Sequence, residues 1–262
     1  MSSEVRWLAE RRVDGVLHGR VGRSRDDLAA EWIGVARLFA RRDGSHVRLV
    51  PEPGASPEDV EKIRRGSAAL LLRHLEGKVS LHGAAVALEG RAIVLLGGAE
   101  AGKSTLAAGL CLQRGAQLLA DDAVALEHTT SGVDVVGLER DHWLDAPARR
   151  ALQVETPDAR AKRPVRATSP PASRAPLAAL VDVAFVSEGA PRLSPLSGVE
   201  AFACILAQVV RFVVDEPELQ RLELDAISEL LAAVPVWRLA RPRDLDLLGE
   251  TSALIADLAR AR

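Results

Sequence analysis

Cysteine is scarce in this chain: Cys111 and Cys204 are the only two among 262 residues. Neither lies in a metal-ligand spacing, so a disulfide framework and a zinc, haem or iron–sulfur site find no support. Net charge is nearly absent as well. The 34 basic and 36 acidic side chains leave −2, too little for a global field that would draw the chain to nucleic acid or an anionic membrane. Long hydrophobic runs are missing: no stretch approaches the roughly 18 apolar residues that cross a bilayer. Met1 to Arg12 is charged and has no apolar signal core. The expectation is a cytoplasmic protein with no nucleic-acid partner and no membrane insertion. Lysine is rare too, at Lys62, Lys78, Lys103 and Lys162 alone. Genome composition accounts for that bias, but one of the four falls where phosphate chemistry needs a compact ammonium.

What is present is an ordinary globular composition, 48% hydrophobic and 27% charged, enough for one large domain with a smaller appendage. Residues 1 to 55 mix short alternating runs with turn residues and read as a small, partly β region. A helix is expected from Ser56, an N-cap candidate followed by Pro57, Glu58 and Asp59, to about Leu75, stopping near Gly77. Two apolar runs, Val79 to Leu88 and Arg91 to Leu96, flank Glu89-Gly90 and predict two strands joined by a tight turn. Lys103 to Gln113 is helical in character, Gly115 stops it, and Gln117 to Ala120 predicts a short strand ending at Asp121-Asp122.

Residues 158 to 176 hold four prolines and several arginines and read as a loop. Its basic cluster of Arg160, Lys162, Arg163 and Arg166 is either a solvated loop or one that closes over phosphate or an acidic peptide. Further on, Leu177 to Val186 predicts a buried strand, and Gly198 to Val214 and Pro217 to Ala233 predict helices. Val236 to Leu239 predicts a strand and Asp244 to Ala259 a terminal helix. Strands and helices alternate, which points to an α/β layer architecture. The expected division is a small region over 1–75 and a catalytic core over 76–262.

Gly97-Gly98-Ala99-Glu100-Ala101-Gly102-Lys103-Ser104 fits G-x-x-x-x-G-K-[ST], with Thr105 following, between a strand and a helix. Small residues let backbone N–H groups wrap phosphates, and the helix N-terminus adds its positive end. Lys103 can reach the β- and γ-phosphates of ATP, and the Ser104 hydroxyl can ligate Mg²⁺. Glu100 stands where many such loops have glycine, and its carboxylate is unfavourable beside polyphosphate unless it points outward. Asp121 and Asp122 follow by one helix, one turn and one strand. One carboxylate can hold Mg²⁺ and the other take a proton from an attacking hydroxyl; the plainer reading is an acidic turn. His82, on the strand before the loop strand, is either a satisfied core histidine or a neighbour of the phosphates or Asp122.

Together Leu81-His82-Gly83, Gly90 to Gly97, Gly102 to Leu106, Arg114-Gly115 and Leu118 to Asp122 resemble HPr kinase/phosphorylase and its relatives. That resemblance implies an α/β fold, a P-loop kinase core of the HPr kinase / PEP carboxykinase type; the region before it reads from its own residues as a small N-terminal α+β region and does not resemble theirs. It implies ATP-dependent phosphorylation of a serine on a protein or peptide, a precursor peptide included. Asp122 would be the catalytic base, Asp121 a metal-associated carboxylate and His82 its neighbour. The chain departs from the kinases acting on HPr at Thr105, where they usually carry glutamate. Glu139-Arg140 is a poor match to their glutamate-arginine-glycine signature. A homo-oligomer is compatible with the resemblance. Two other readings use the same loop. Leu196-Ser197-Gly198 and Asp215-Glu216-Pro217 evoke an ABC-type ATPase, although no histidine follows His142. A non-catalytic nucleotide-binding regulator would keep the loop and lack the transfer.

Overall fold

Ser56 starts the first helix as its side chain predicts: its hydroxyl accepts the Asp59 N–H at 3.0 Å. The computed structural model of the chain describes residues 5–24, 27–41, 45–154, 162–212 and 216–260. Contacts divide it into two units, Met1–Val79 with Val210–Asp225, and Ser80–Val209 with Ala226–Arg262.

The first unit opens with five strands, β1 (Arg6–Val13), β2 (Val16–Ser24), β3 (Asp27–Trp32), β4 (Ala36–Arg41) and β5 (Arg48–Pro51), paired antiparallel in chain order. The partly β expectation for residues 1 to 55 is thus a complete meander. The predicted helix follows as α1 (Pro57–Ile63) and α2 (Ala69–Leu75), joined without a break by a π-helical turn over Arg64–Ala68 that contains Gly66. Ala68, Leu71 and Leu75 bury against Leu28, Ala30, Leu38 and Ala40 of β3 and β4. Gly77, at φ 71°, ends the run.

The second unit is built on a seven-stranded sheet. It begins with a hairpin of β6 (Ser80–Leu88) and β7 (Arg91–Leu96), whose turn residues Glu89 and Gly90 have φ 52° and 79°. Two left-handed residues in sequence match the twist of the flanking strands. Then come α3 (Lys103–Arg114), β8 (Gln117–Thr129), β9 (Gly132–Val136), β10 (Asp141–Asp145), α4 (Ala146–Ala151), β11 (Lys162–Arg166), β12 (Arg174–Phe185), β13 (Arg192–Leu196) and α5 (Gly198–Gln208). The chain closes with α6 (Pro217–Ala233), which spans the boundary between units, β14 (Val236–Arg241) and α7 (Leu248–Arg260). The sheet order is β13-β14-β12-β7-β6-β8-β9, while β10 and β11 pair separately. At its centre β7, β12 and β14 run parallel, and Ala92 to Leu96 are fully buried, as strands covered on both faces require. On one face, Leu106 and Leu110 of α3 and Leu248 and Ile255 of α7 pack onto Ala84, Val86, Ile93 and Leu95.

Several expectations are corrected. The strand after α3 does not end at Asp121-Asp122. It runs on to Thr129, because Val124, Ala125 and Leu126 continue the apolar run and pair with β6 and β9. Residues 158 to 176 are not simply a loop: β11 pairs antiparallel with β10, and β12 already begins at Arg174. Arg160 lies outside the described residues. The helix from Gly198 ends at Gln208, short of Val214, which is itself outside the described residues. The terminal helix begins at Leu248, because the Asp244 carboxylate accepts the Asp246 N–H at 2.9 Å in a local turn. β9, β10 and β13 were not anticipated.

Candidate active site

Between β7 and α3 the chain turns through two glycines that no other residue could replace cheaply. Gly97 has φ 129°, and a Cβ there would stand 2.7 Å from the Val183 carbonyl oxygen; Gly102, at φ 87°, caps α3. Glu100 also takes a left-handed conformation, φ 62°, and is exposed. The loop thereby rises over the carboxyl end of the parallel strands, where open α/β sheets place their ligands. Lys103 is buried, and its ammonium donates to the carbonyls of Gly97 at 2.8 Å and Gly98 at 2.9 Å. The side chain folds back across the loop, so a phosphate in the loop would lie within reach of the same ammonium.

One residue on, the Ser104 hydroxyl donates to Asp121 Oδ1 at 2.7 Å. The Trp143 backbone N–H donates to Asp121 Oδ2 at 2.7 Å. Asp121 is 1% exposed, and these two bonds fix the plane of its carboxylate beside the first turn of α3. Alternation along β8 turns Asp122 the other way. Its side chain is 80% exposed, and its backbone, at φ 91°, occupies a region that non-glycine residues avoid. His82 of β6 meets it there. Nδ1 lies 3.0 Å from the Asp122 carbonyl oxygen and 3.5 Å from Oδ1. Because a carbonyl only accepts, Nδ1 carries the proton in this arrangement.

A cleft of about 690 Å³ joins these groups, lined by His82, Ala99 to Thr105, Asp121, Asp122, Trp143, Asp145 and Arg243. The structure therefore brings His82, Glu100, Lys103, Ser104, Asp121 and Asp122 to one cavity. It does not bring Glu216 there: that residue, central to the ATPase reading, is ion-paired with Arg23 in the first unit. Asp215 is outside the described residues. Burial, with the charge of Asp121 behind it, pushes Cys111 up to about 12, and burial with Asp182 does the same to Cys204.

Sequence reasoning missed the other side of the cleft. Trp143 and Asp145 enter from β10, a strand no periodicity announced. His142, just before Trp143 and on the opposite face, is 3% exposed with neither ring nitrogen hydrogen-bonded, and burial draws it down to about 4. Arg243 comes from the segment after β14; only the geometry of the parallel strands could have signalled it.

No family model and no curated protein matches this sequence. Among solved structures, that of the Hpr(Ser) kinase/phosphatase from Coxiella burnetii is similar with 12% identity and a TM-score of 0.37. The match covers 68% of this chain and 94% of that one. The likeness is distant.

Proposed function

We propose that this chain is a kinase that transfers the γ-phosphate of Mg²⁺·ATP to a serine hydroxyl of a protein or peptide. The observation that carries the reading is the Ser104–Asp121 hydrogen bond at the start of α3, with Asp122 exposed in the same cleft. A helix-opening hydroxyl held against a carboxylate, under a glycine-rich turn with a lysine folded into it, is what a metal-bound polyphosphate requires.

The donor set fits Mg²⁺. Ser104 and Asp121 present hard oxygen donors 2.7 Å apart, and this ion characteristically takes few protein oxygens and completes its shell with phosphate and water. Among the described residues no group of three His, Cys, Asp or Glu forms an all-protein cage, in keeping with that mode. When bound, the ion neutralises charge on the phosphates. The chain's own groups supply the rest. The loop amides and the α3 N-terminus receive the triphosphate, and Lys103 exchanges the Gly97 and Gly98 carbonyls for phosphate oxygens. As the serine oxygen bonds to γ-phosphorus, the bond from γ-phosphorus to the ADP oxygen breaks, and the serine proton passes to the Asp122 carboxylate. His82 holds the Asp122 backbone in its strained pose through the Nδ1–H bond.

The test is intact-mass analysis of serine-containing proteins and peptides after incubation with Mg²⁺, ATP and either wild type or Asp122→Asn. Wild type should add one phosphate to a serine. The variant should lose roughly 10²–10⁴-fold in rate while binding nucleotide as before. Binding without any transfer would sink the kinase reading and leave a nucleotide-binding regulator.

A further inference from the structure

The paired aspartates of β8 and the arginines at the end of β14 stand on opposite sides of the phosphate loop. In the sheet order, β8 with Asp121 and Asp122 lies two strands from β7 in one direction, and β14 lies two strands away in the other. At the usual spacing between strands each separation is roughly 10 Å. With the γ-phosphate held near Ser104, Asp121 and Asp122, the nucleoside end of ATP must extend toward β12 and β14.

Three side chains at the carboxyl ends of those strands form one cluster. Phe185 ends β12 and Arg241 ends β14, directly paired in the ladder. The Arg243 guanidinium lies 4.4 Å from the centre of the Phe185 ring, and that of Arg241 lies 5.3 Å from it. Arg241 is 3% exposed, and its Nη1 is buried without a hydrogen-bond partner. Its Nη2 stands 3.8 Å from where a Cβ on Gly102 would sit, so the cluster touches the phosphate loop itself. Arg243 is exposed, lines the cleft, and has no carboxylate partner among the described residues. A guanidinium held over an aromatic ring is a rigid plane, and such planes take a second flat ring by stacking.

We infer that Arg243, seated on Phe185 and backed by Arg241, is the platform on which the nucleobase of the bound nucleoside triphosphate stacks. The inference rests on the nucleotide reading above and adds the base subsite to it. Binding by stacking depends on the planar face of Arg243, whereas binding to phosphate would depend on its charge alone, and substitution separates the two.

The experiment is isothermal titration of the full chain with Mg²⁺·ATP and, separately, with Mg²⁺ and inorganic tripolyphosphate. It compares wild type with Arg243→Ala, Arg243→Lys and Arg243→Tyr, all at an exposed position that leaves the core untouched. Ala and Lys should each weaken ATP about tenfold, the equivalent of one lost stack, and leave tripolyphosphate within about twofold. Tyr, planar and uncharged, should keep ATP near the wild-type value. Equal losses for ATP and tripolyphosphate, or rescue by Lys but not by Tyr, would overturn the platform and leave the nucleotide site standing. Wild type that binds neither ligand would overturn both.

Discussion

Asp122 holds φ 91° inside a paired strand, a conformation that costs a non-glycine residue about 1–3 kcal/mol. Such strain persists where surrounding structure enforces it, and here the His82 Nδ1–H bond to its carbonyl and the buried, doubly bonded Asp121 next to it do so. Glu100 is the second strained carboxylate of the cleft, at φ 62°. Glu100→Gly removes both the left-handed penalty and a negative charge beside the phosphates, so Mg²⁺·ATP should bind several-fold tighter by titration; unchanged or weaker binding would show that Glu100 points clear of the ligand. His142 makes a pH prediction. Its unfolded imidazole titrates near 6.5 and the folded one at about 4. Between those values the unfolded chain binds a proton that the folded chain refuses. Stability should therefore fall as pH drops from about 6.5 to about 4 and level off below, by up to about 3 kcal/mol. Urea midpoints across that range should decline in wild type and stay flatter in His142→Phe; parallel declines would acquit His142.

At the scale of elements, the site depends on how closely β6, β7 and β8 approach. Gly83 of β6 pairs with Asp122, and a Cβ on Gly83 would stand 2.6 Å from the Leu95 carbonyl oxygen of β7. Backbone cannot rotate away as a side chain can, so Gly83→Ala must spread the hairpin and displace its partner on β8. We expect a loss of about 1–3 kcal/mol in denaturant unfolding together with a fall in transfer rate larger than any change in ATP affinity. A stable variant with full transfer would mean that the register tolerates the shift. The β6–β7 hairpin and α3 are readable from sequence because their signals are local: Glu89-Gly90 for the turn, Gly97 to Ser104 for the loop, Gly115 at φ 70° for the stop. The continuation of β8 past Asp122 is not, because an acidic pair after three apolar residues looks like a strand end until β6 and β9 pair on either side of it. β10 also escapes notice. His142 and Leu144 face the core while Trp143 and Asp145 face the cleft, and five residues carry too little periodicity to declare a strand.

At the scale of the whole molecule, every residue assigned to the site belongs to the second unit, Ser80–Val209 with Ala226–Arg262. Ligand stabilisation should register there. At 100 times its dissociation constant, Mg²⁺·ATP would add about 2.7 kcal/mol to the stability of the binding-competent state. Hydrogen exchange should slow in the loop, α3 and the middle of β8. The meander of β1 to β5 should change less, and equal protection throughout would show that the two units respond as one body. Among the described residues no helix is long and apolar enough to cross a membrane.

The sequence by itself determined the local make-up of the candidate loop: which residues bend it, which lysine and hydroxyl it presents, and that two carboxylates follow at one helix and one strand. These are matters of local conformation and short spacing, and residues close in the chain announce them together. Only the tertiary structure decided which carboxylate is buried against Ser104 and which faces the cleft, because strand alternation has no origin until β8 is paired. It alone brought Trp143 and Arg243 to the same cavity and gathered Phe185 and Arg241 beside Arg243. Those residues arrive on or just after strands whose partners are set by long-range pairing, and no local pattern in the chain records which strand will lie beside which.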